Sequence, residues 1–182
     1  MREPALTTQR LPVSLIGLPG SGKSTVGKEL ALRLGALFVD CDKVIEQRAG
    51  CSIARLFEHD GEPAFRELEA EVLASLVNDG SAVIATGGGA ILRPDSRELL
   101  RTATTCVYLN ASPDLLWSRL RRDRKRPLLQ VEDAETRLRE LSAQRDPLYR
   151  EAATIVIDTQ GLSFNGLVEA VLERLNTPAM YS

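Results

Sequence analysis

Residues 17–25 read GLPGSGKST, and the reading of these nine residues decides the fold. Gly17, Gly22, Lys23 and Ser24 take the fixed places of the spacing G-x-x-x-x-G-K-[ST]. The context on both sides is the one this spacing requires. The apolar run Val13–Ile16 precedes it, and an amphipathic stretch opens at Lys23–Ser24 and stops before Gly35. Glycines let a backbone curl so that successive N–H groups point at phosphate oxygens, and a helix N-terminus adds partial positive charge. Lys23 would then reach the β- and γ-phosphates of a bound nucleoside triphosphate, and the Ser24 hydroxyl would ligate Mg²⁺. Gly20, Ser21, Gly22 and Thr25 complete this nucleotide cradle. The plainer alternative, a glycine-rich turn with a solvated lysine, does not account for a strand before it and a helix after it.

Working outward, short β-rich runs alternate with longer amphipathic ones. Strands are expected near Val13–Ile16, Leu37–Asp40, Ala82–Thr86, Thr105–Leu109 and Ile155–Ile157. Runs this short, bounded by glycine or polar residues, suit strands buried on both faces of a parallel sheet. Between them, one helix follows Ser52 as N-cap. Another runs from about Glu62 to Val77 with an apolar stripe of Phe65, Leu68, Val72 and Leu76. "SPD" at Ser112–Asp114 combines a cap, a first-position proline and a first-turn acid. A last helix is expected near Phe164–Leu175. The alternation implies right-handed crossovers and an α/β three-layer sandwich on a five-stranded parallel sheet, of the P-loop NTPase type. With no internal repeat or linker, residues 1–182 read as one domain. Its core runs from about 11 to 177, and the two ends are expected to fray.

Bulk properties narrow the function. The formal net charge is −2, so no global pull toward nucleic acid or an anionic membrane is expected. Of 23 cationic residues only Lys23, Lys28, Lys43 and Lys125 are lysines; arginine suits planar, bidentate grips on carboxylate and phosphate. The opening residues MREPALTTQR hold no apolar core of a secretory leader, and no apolar run approaches the roughly 20 residues of a membrane helix. Cys41, Cys51 and Cys106 are odd in number and lack a C-x-x-C spacing, which fits structural thiols in a reducing cytoplasm. The guanine-reading N-K-x-D spacing is absent, leaving a small nucleotide-dependent kinase as the natural class. Such an enzyme needs an acceptor site and a means of excluding water.

Ligands of a parallel sheet sit outside the carboxyl ends of its strands. "VDCD" (39–42) puts Asp40 and Asp42 there. Were the strand extended through both, the carboxylates would share a face about 7 Å apart. One would then serve Mg²⁺ and the other an acceptor hydroxyl, whose proton it could receive. Otherwise Asp42 caps a helix beginning at Lys43. Gly87, Gly88 and Gly89 bring bare backbone to the end of the third strand, either to approach a ligand or to make a positive-φ turn. Arg66 falls between Glu62 and Glu69 and reads equally as a surface ion-pair ladder. Arg145 lies where Pro147 is expected to stop a helix, and reads equally as a cation favouring that terminus. The run RLRRDRKRPLL (119–129) holds six cations and one acid. Such a run is a solvated face, or a lid whose guanidiniums close over transferring phosphate. It has no interleaved aromatic residue, which counts against nucleic-acid binding.

GLPGSGKST, DCD, FRELE, GGGAIL, RPLL and RDPLYR, in this order and spacing, resemble the shikimate kinase family from about Val13 to Asp158. The resemblance implies a nucleoside-monophosphate-kinase-like fold and transfer of the ATP γ-phosphate to the 3-hydroxyl of shikimate, in aromatic amino-acid biosynthesis. It makes Asp42 the hydroxyl-binding acid, has Arg66 and Arg145 grip the substrate carboxylate, and places Gly88 and Gly89 in the acceptor pocket, within an acceptor-binding region of about 40–70. Arg126 becomes the arginine of a mobile lid (about 119–131), Arg119 packs on adenine, and Asp40 serves Mg²⁺ through water. A cytoplasmic monomer with no nucleic-acid or membrane partner is expected. The alternatives are a P-loop kinase for another polyol acid such as gluconate, and a nucleotide-binding regulatory or nucleic-acid-binding module. The loop QGLSFNG (160–166) matches no pattern of the family.

Overall fold

The computed structural model describes residues 12–80, 82–121 and 133–177; the two ends, and Arg126 with most of the arginine-rich run, lie outside them. In chain order the elements are β1 (Val13–Ile16), α1 (Lys23–Leu34), β2 (Leu37–Asp40), α2 (Cys41–Ala49), α3 (Ile53–His59), α4 (Gly61–Asp79) and β3 (Ala82–Ala85). A 3₁₀ turn (Ala90–Leu92) follows, then α5 (Pro94–Ala103), β4 (Thr105–Asn110), α6 (Pro113–Leu120), α7 (Ala134–Ala152), β5 (Ile155–Asp158) and α8 (Phe164–Asn176).

The five strands form one sheet of order β2-β3-β1-β4-β5, every pair parallel. Successive strand side chains alternate between faces, and here both faces are apolar. Val13, Leu15, Val83, Val107 and Leu109 meet Val26 and Leu30 of α1 and Val168 and Val171 of α8. Ile16, Ile84, Cys106 and Tyr108 meet Leu73 of α4, Leu100 of α5, Leu116 of α6 and Leu138 and Tyr149 of α7. Ser14 is the polar exception; its hydroxyl is buried against Thr104 Oγ1 at 2.6 Å. A separate small core of Ile45, Leu56, Phe65 and Val72 joins α2, α3 and α4 beside the sheet.

Four expectations change. β2 is an edge strand and is not buried on both faces: Leu37 is 70% exposed. β2 ends at Asp40 and α2 starts at Cys41, so Asp40 and Asp42 do not share an extended strand. Asp40, not Asp42, is the cap, its carboxylate accepting from the Asp42 N–H at 3.1 Å. Pro147 does not stop a helix but lies inside α7. An interior proline costs about 3 kcal/mol. Here Pro147 and Ala143, whose carbonyl loses its partner, both face solvent, where water can bond that carbonyl. Beyond the proline, Tyr149 and Ala152 are buried, and a large buried side chain contributes about 1.5–3 kcal/mol. Packing therefore carries the helix through.

Candidate active site

The phosphate loop joins β1 to α1. Gly20 and Gly22 have φ of 85° and 100°, which favours glycine. As N-cap of α1, Gly22 has no side chain to occupy the first-turn N–H groups, so these donors remain for an anion. Lys23 Nζ lies across the loop and donates to the Gly17 and Leu18 carbonyls at 2.8 and 3.1 Å. The loop opens on a cavity of about 420 Å³. Gly20, Ser21, Gly22, Lys23, Ser24 and Thr25 line its floor, Asp40, Asp42, Thr86 and Gly88 one end, and Arg119, Leu162, Ser163 and Phe164 the other.

At the β2 rim, Ser24 Oγ donates to Asp40 Oδ2 at 2.8 Å. The helix-opening hydroxyl and the strand-ending acid are thus neighbours, with the second Asp40 oxygen engaged by the Asp42 N–H. Both groups are hard oxygen donors of the kind Mg²⁺ takes. No group of three or more His, Cys, Asp or Glu able to hold a metal occurs among the described residues.

The turn after β3 gathers the remaining residues. None of Gly87, Gly88 and Gly89 has positive φ, so the positive-φ reading of these glycines is set aside. They are needed for space. A Cβ on Gly87 would lie 2.5 Å from Glu69 Oε1 and 2.9 Å from Asp42 Oδ1, and one on Gly89 would fall 2.5 Å from Arg66 Nη2. The Gly88 carbonyl accepts from Arg145 Nη1 at 3.2 Å and from the Tyr149 hydroxyl at 2.6 Å. Two acids and two guanidiniums, from α2, α4 and α7, therefore surround three residues of bare backbone at the edge of the phosphate cavity.

Arg66 does pair with Glu62 and Glu69, as a ladder would, but only its Glu62 end is on the surface. The Arg66 side chain is 16% exposed and that of Glu69 4%, with Arg66 Nη1 donating to Glu69 Oε2 at 2.6 Å. Glu69 Oε1 is buried without a hydrogen-bond partner. Burial raises the Glu69 carboxyl above its ordinary range, Arg66 pulls it down, Asp42 pushes it further up and Arg145 opposes. Sequence reasoning placed Glu69 at the surface. The signal was there: position 69 is four after Phe65 and three before Val72, on the buried stripe of α4. Tyr149 was missed too, although it follows Arg145 by one turn of α7.

At the far end, Arg119 Nη1 donates to the Gly20 carbonyl at 3.1 Å. Leu162 and Phe164, from the loop that matched no pattern, stand 39% and 44% exposed at the cavity mouth. The three thiols are free; burial pushes Cys106 up to about 12 and Cys41 further, so neither is a nucleophile.

A family model described as shikimate kinase matches residues 19–176. A shikimate kinase of Paracidovorax citrulli is 53% identical over 169 residues, covering 91% of this chain and 92% of its own. One of Burkholderia thailandensis is 50% identical over 163 residues, covering 90% and 89%. Among solved structures, shikimate kinase from Acinetobacter baumannii in complex with shikimate superposes with a TM-score of 0.89 at 41% identity, covering 98% of this chain and 100% of that one. A gluconokinase from Sinorhizobium meliloti, at 17% identity and a TM-score of 0.55 over 92% of each chain, shares the fold alone.

Proposed function

The chain belongs to the shikimate kinase family, and on that premise we propose which of its residues carry the transfer of the ATP γ-phosphate to the 3-hydroxyl of shikimate. The products are shikimate 3-phosphate and ADP, in aromatic amino-acid biosynthesis. The observation that supports the assignment is the convergence of Asp42, Arg66 and Arg145 on the Gly87–Gly89 turn, at one end of the phosphate cavity.

The phosphate tail of ATP lies on the N–H groups that open α1, and Lys23 turns from the Gly17 and Leu18 carbonyls to the β- and γ-phosphate oxygens. Arg119 packs on adenine. Arg66 and Arg145 grip the shikimate carboxylate, a planar group that guanidinium forks match. With that end fixed, the ring lies over Gly88 and Gly89 and its 3-hydroxyl meets Asp42. The carboxylate orients the hydroxyl oxygen and receives its proton as the oxygen attacks phosphorus. Ser24 and Asp40 would hold Mg²⁺, Asp40 through water; when bound, the ion offsets the charge gathering on the phosphate oxygens. Arg126, outside the described residues, is assigned to the lid that meets the transferring phosphoryl group. A single-domain monomer in the cytoplasm is the proposed working form.

The test is ADP release by the purified protein with ATP and Mg²⁺, with shikimate, with gluconate and without acceptor. Release that depends on shikimate supports the reading; release that shikimate does not change refutes it.

A further inference from the structure

The Gly88 carbonyl has two donors where the reaction needs one of them elsewhere. Its oxygen accepts from Tyr149 at 2.6 Å and from Arg145 at 3.2 Å. A carbonyl oxygen has two lone pairs, so both sites are in use. The two donors differ in freedom. Tyr149 is 1% exposed. Its ring stacks on Tyr108, with centroids 4.9 Å apart and an interplanar angle of 22°. The Tyr108 hydroxyl is held in turn, 3.0 Å from Asp146 Oδ1 and 3.2 Å from Asn110 Oδ1. The phenol thus cannot leave the carbonyl. Arg145 is half-buried, carries a fork of five donors and makes the longer bond. It sits one helical turn before Tyr149, on the same face of α7.

We infer that Tyr149 is a positioning residue for the acceptor: its hydroxyl keeps the Gly88 carbonyl satisfied, so that Arg145 can leave that carbonyl for the substrate carboxylate. This rests on the reading of Arg145 as a carboxylate-gripping residue. With Tyr149 in place, redirecting an Arg145 N–H leaves the Gly88 carbonyl satisfied. Without its hydroxyl, every acceptor that draws Arg145 away leaves the carbonyl unpaired in a largely dry turn. Stranding a polar group weakens binding by about 5- to 30-fold, taking the lower part of the range for buried groups because Gly88 itself is half-exposed. The effect needs Arg145: where no N–H leaves the carbonyl on binding, loss of the hydroxyl is felt equally before and after.

The experiment is Tyr149→Phe and Arg145→Ala, singly and together, with kcat and KM measured for shikimate and for ATP, and thermal melting of each variant. Y149F is expected to raise KM for shikimate about 5- to 30-fold while kcat and the KM for ATP hold, and to add nothing in the R145A background. Wild-type KM for shikimate in Y149F overturns the inference. So does an equal rise in the R145A background, a parallel rise in KM for ATP, or a Y149F protein that no longer folds, since the hydroxyl would then act in folding. An R145A enzyme with unchanged KM for shikimate sinks the carboxylate reading itself, whatever Y149F does.

Discussion

Gly87→Ala adds one methyl group where two carboxylates meet, and its effect can be worked from the structure. The new Cβ would stand 2.5 Å from Glu69 Oε1 and 2.9 Å from Asp42 Oδ1, where ordinary contact begins near 3.4 Å. The oxygens must therefore withdraw by about 0.9 and 0.5 Å. Glu69 has nowhere to go: it is 3% exposed and tied to Arg66 at 2.6 Å. Asp42 is exposed at the start of α2 and yields more easily, or the turn itself shifts away from both. Gly87 has no positive φ, so backbone strain adds nothing and the effect is steric. Overpacking of this kind costs about 1–3 kcal/mol of stability. The larger loss is in rate, because Asp42 is the group proposed to hold the reacting hydroxyl. A misplacement of about 1 Å can cost about 100-fold. Displacements of half to nine-tenths of that give an expected fall of about 10- to 100-fold in kcat/KM for shikimate. The assay is coupled ADP release with shikimate varied at saturating ATP and then ATP varied at saturating shikimate, alongside a thermal melt. KM for ATP should hold, since the phosphate loop is untouched. A folded G87A enzyme with wild-type kcat/KM for shikimate would refute the argument that Asp42 and Glu69 share this space and that Asp42 acts from it.

Asp42→Asn keeps the shape but removes the proton acceptor, so kcat should drop by about 10²–10⁴ with KM for ATP unchanged; steady-state kinetics showing normal turnover would contradict the role. Asp40→Asn should raise the Mg²⁺ concentration needed for half-maximal activity without lowering the melting temperature, because asparagine caps a helix as well as aspartate does. An unchanged Mg²⁺ titration would remove Asp40 from the metal site. Glu69 titrates above the ordinary carboxylate range, chiefly through burial, so the folded state holds its proton more tightly than the unfolded chain does. The stability this contributes is fully present below the unfolded pKa and is lost as pH rises through the folded one. Urea melts of wild type and Glu69→Gln across acid to neutral pH should show the wild type losing stability relative to the variant, and parallel curves would refute the shift.

The fold was legible because its signals are local. All five strands carry apolar side chains toward helices on both sides, so short apolar runs marked them; the bounds of β3, β4 and β5 differ from expectation by a single residue. β2 and β5 are the two edges of the sheet, and there the cover thins: Leu37 is left in solvent and Asp158 is exposed. The phosphate loop was equally legible, since its function follows from backbone conformation within nine residues. Pro147 misled because propensity is a local quantity, whereas the burial of Tyr149 and Ala152 that outweighs it is not.

The acceptor site was legible as a set of residues and not as an arrangement, and Glu69 shows why. In sequence Glu62, Arg66 and Glu69 are a helical charge ladder, the kind worth a few tenths of a kcal/mol on a surface. What turns the ladder into a site is where α4 packs: beneath a turn of three glycines, where the same spacing sets one guanidinium against Gly89 and buries the acid behind it. The glycines have the same history. Read along the chain they suggest unusual φ, yet they adopt none; Gly87 is small because Asp42 and Glu69, and Gly89 because Arg66, need the volume a Cβ would fill, while a Cβ on Gly88 would stand 3.0 Å from Pro19. Space of this kind is a property of three elements meeting. A sequence can state which residues are small and which are charged, but that the small ones exist to admit the charged ones emerges only once α2, α4 and α7 close on the end of β3.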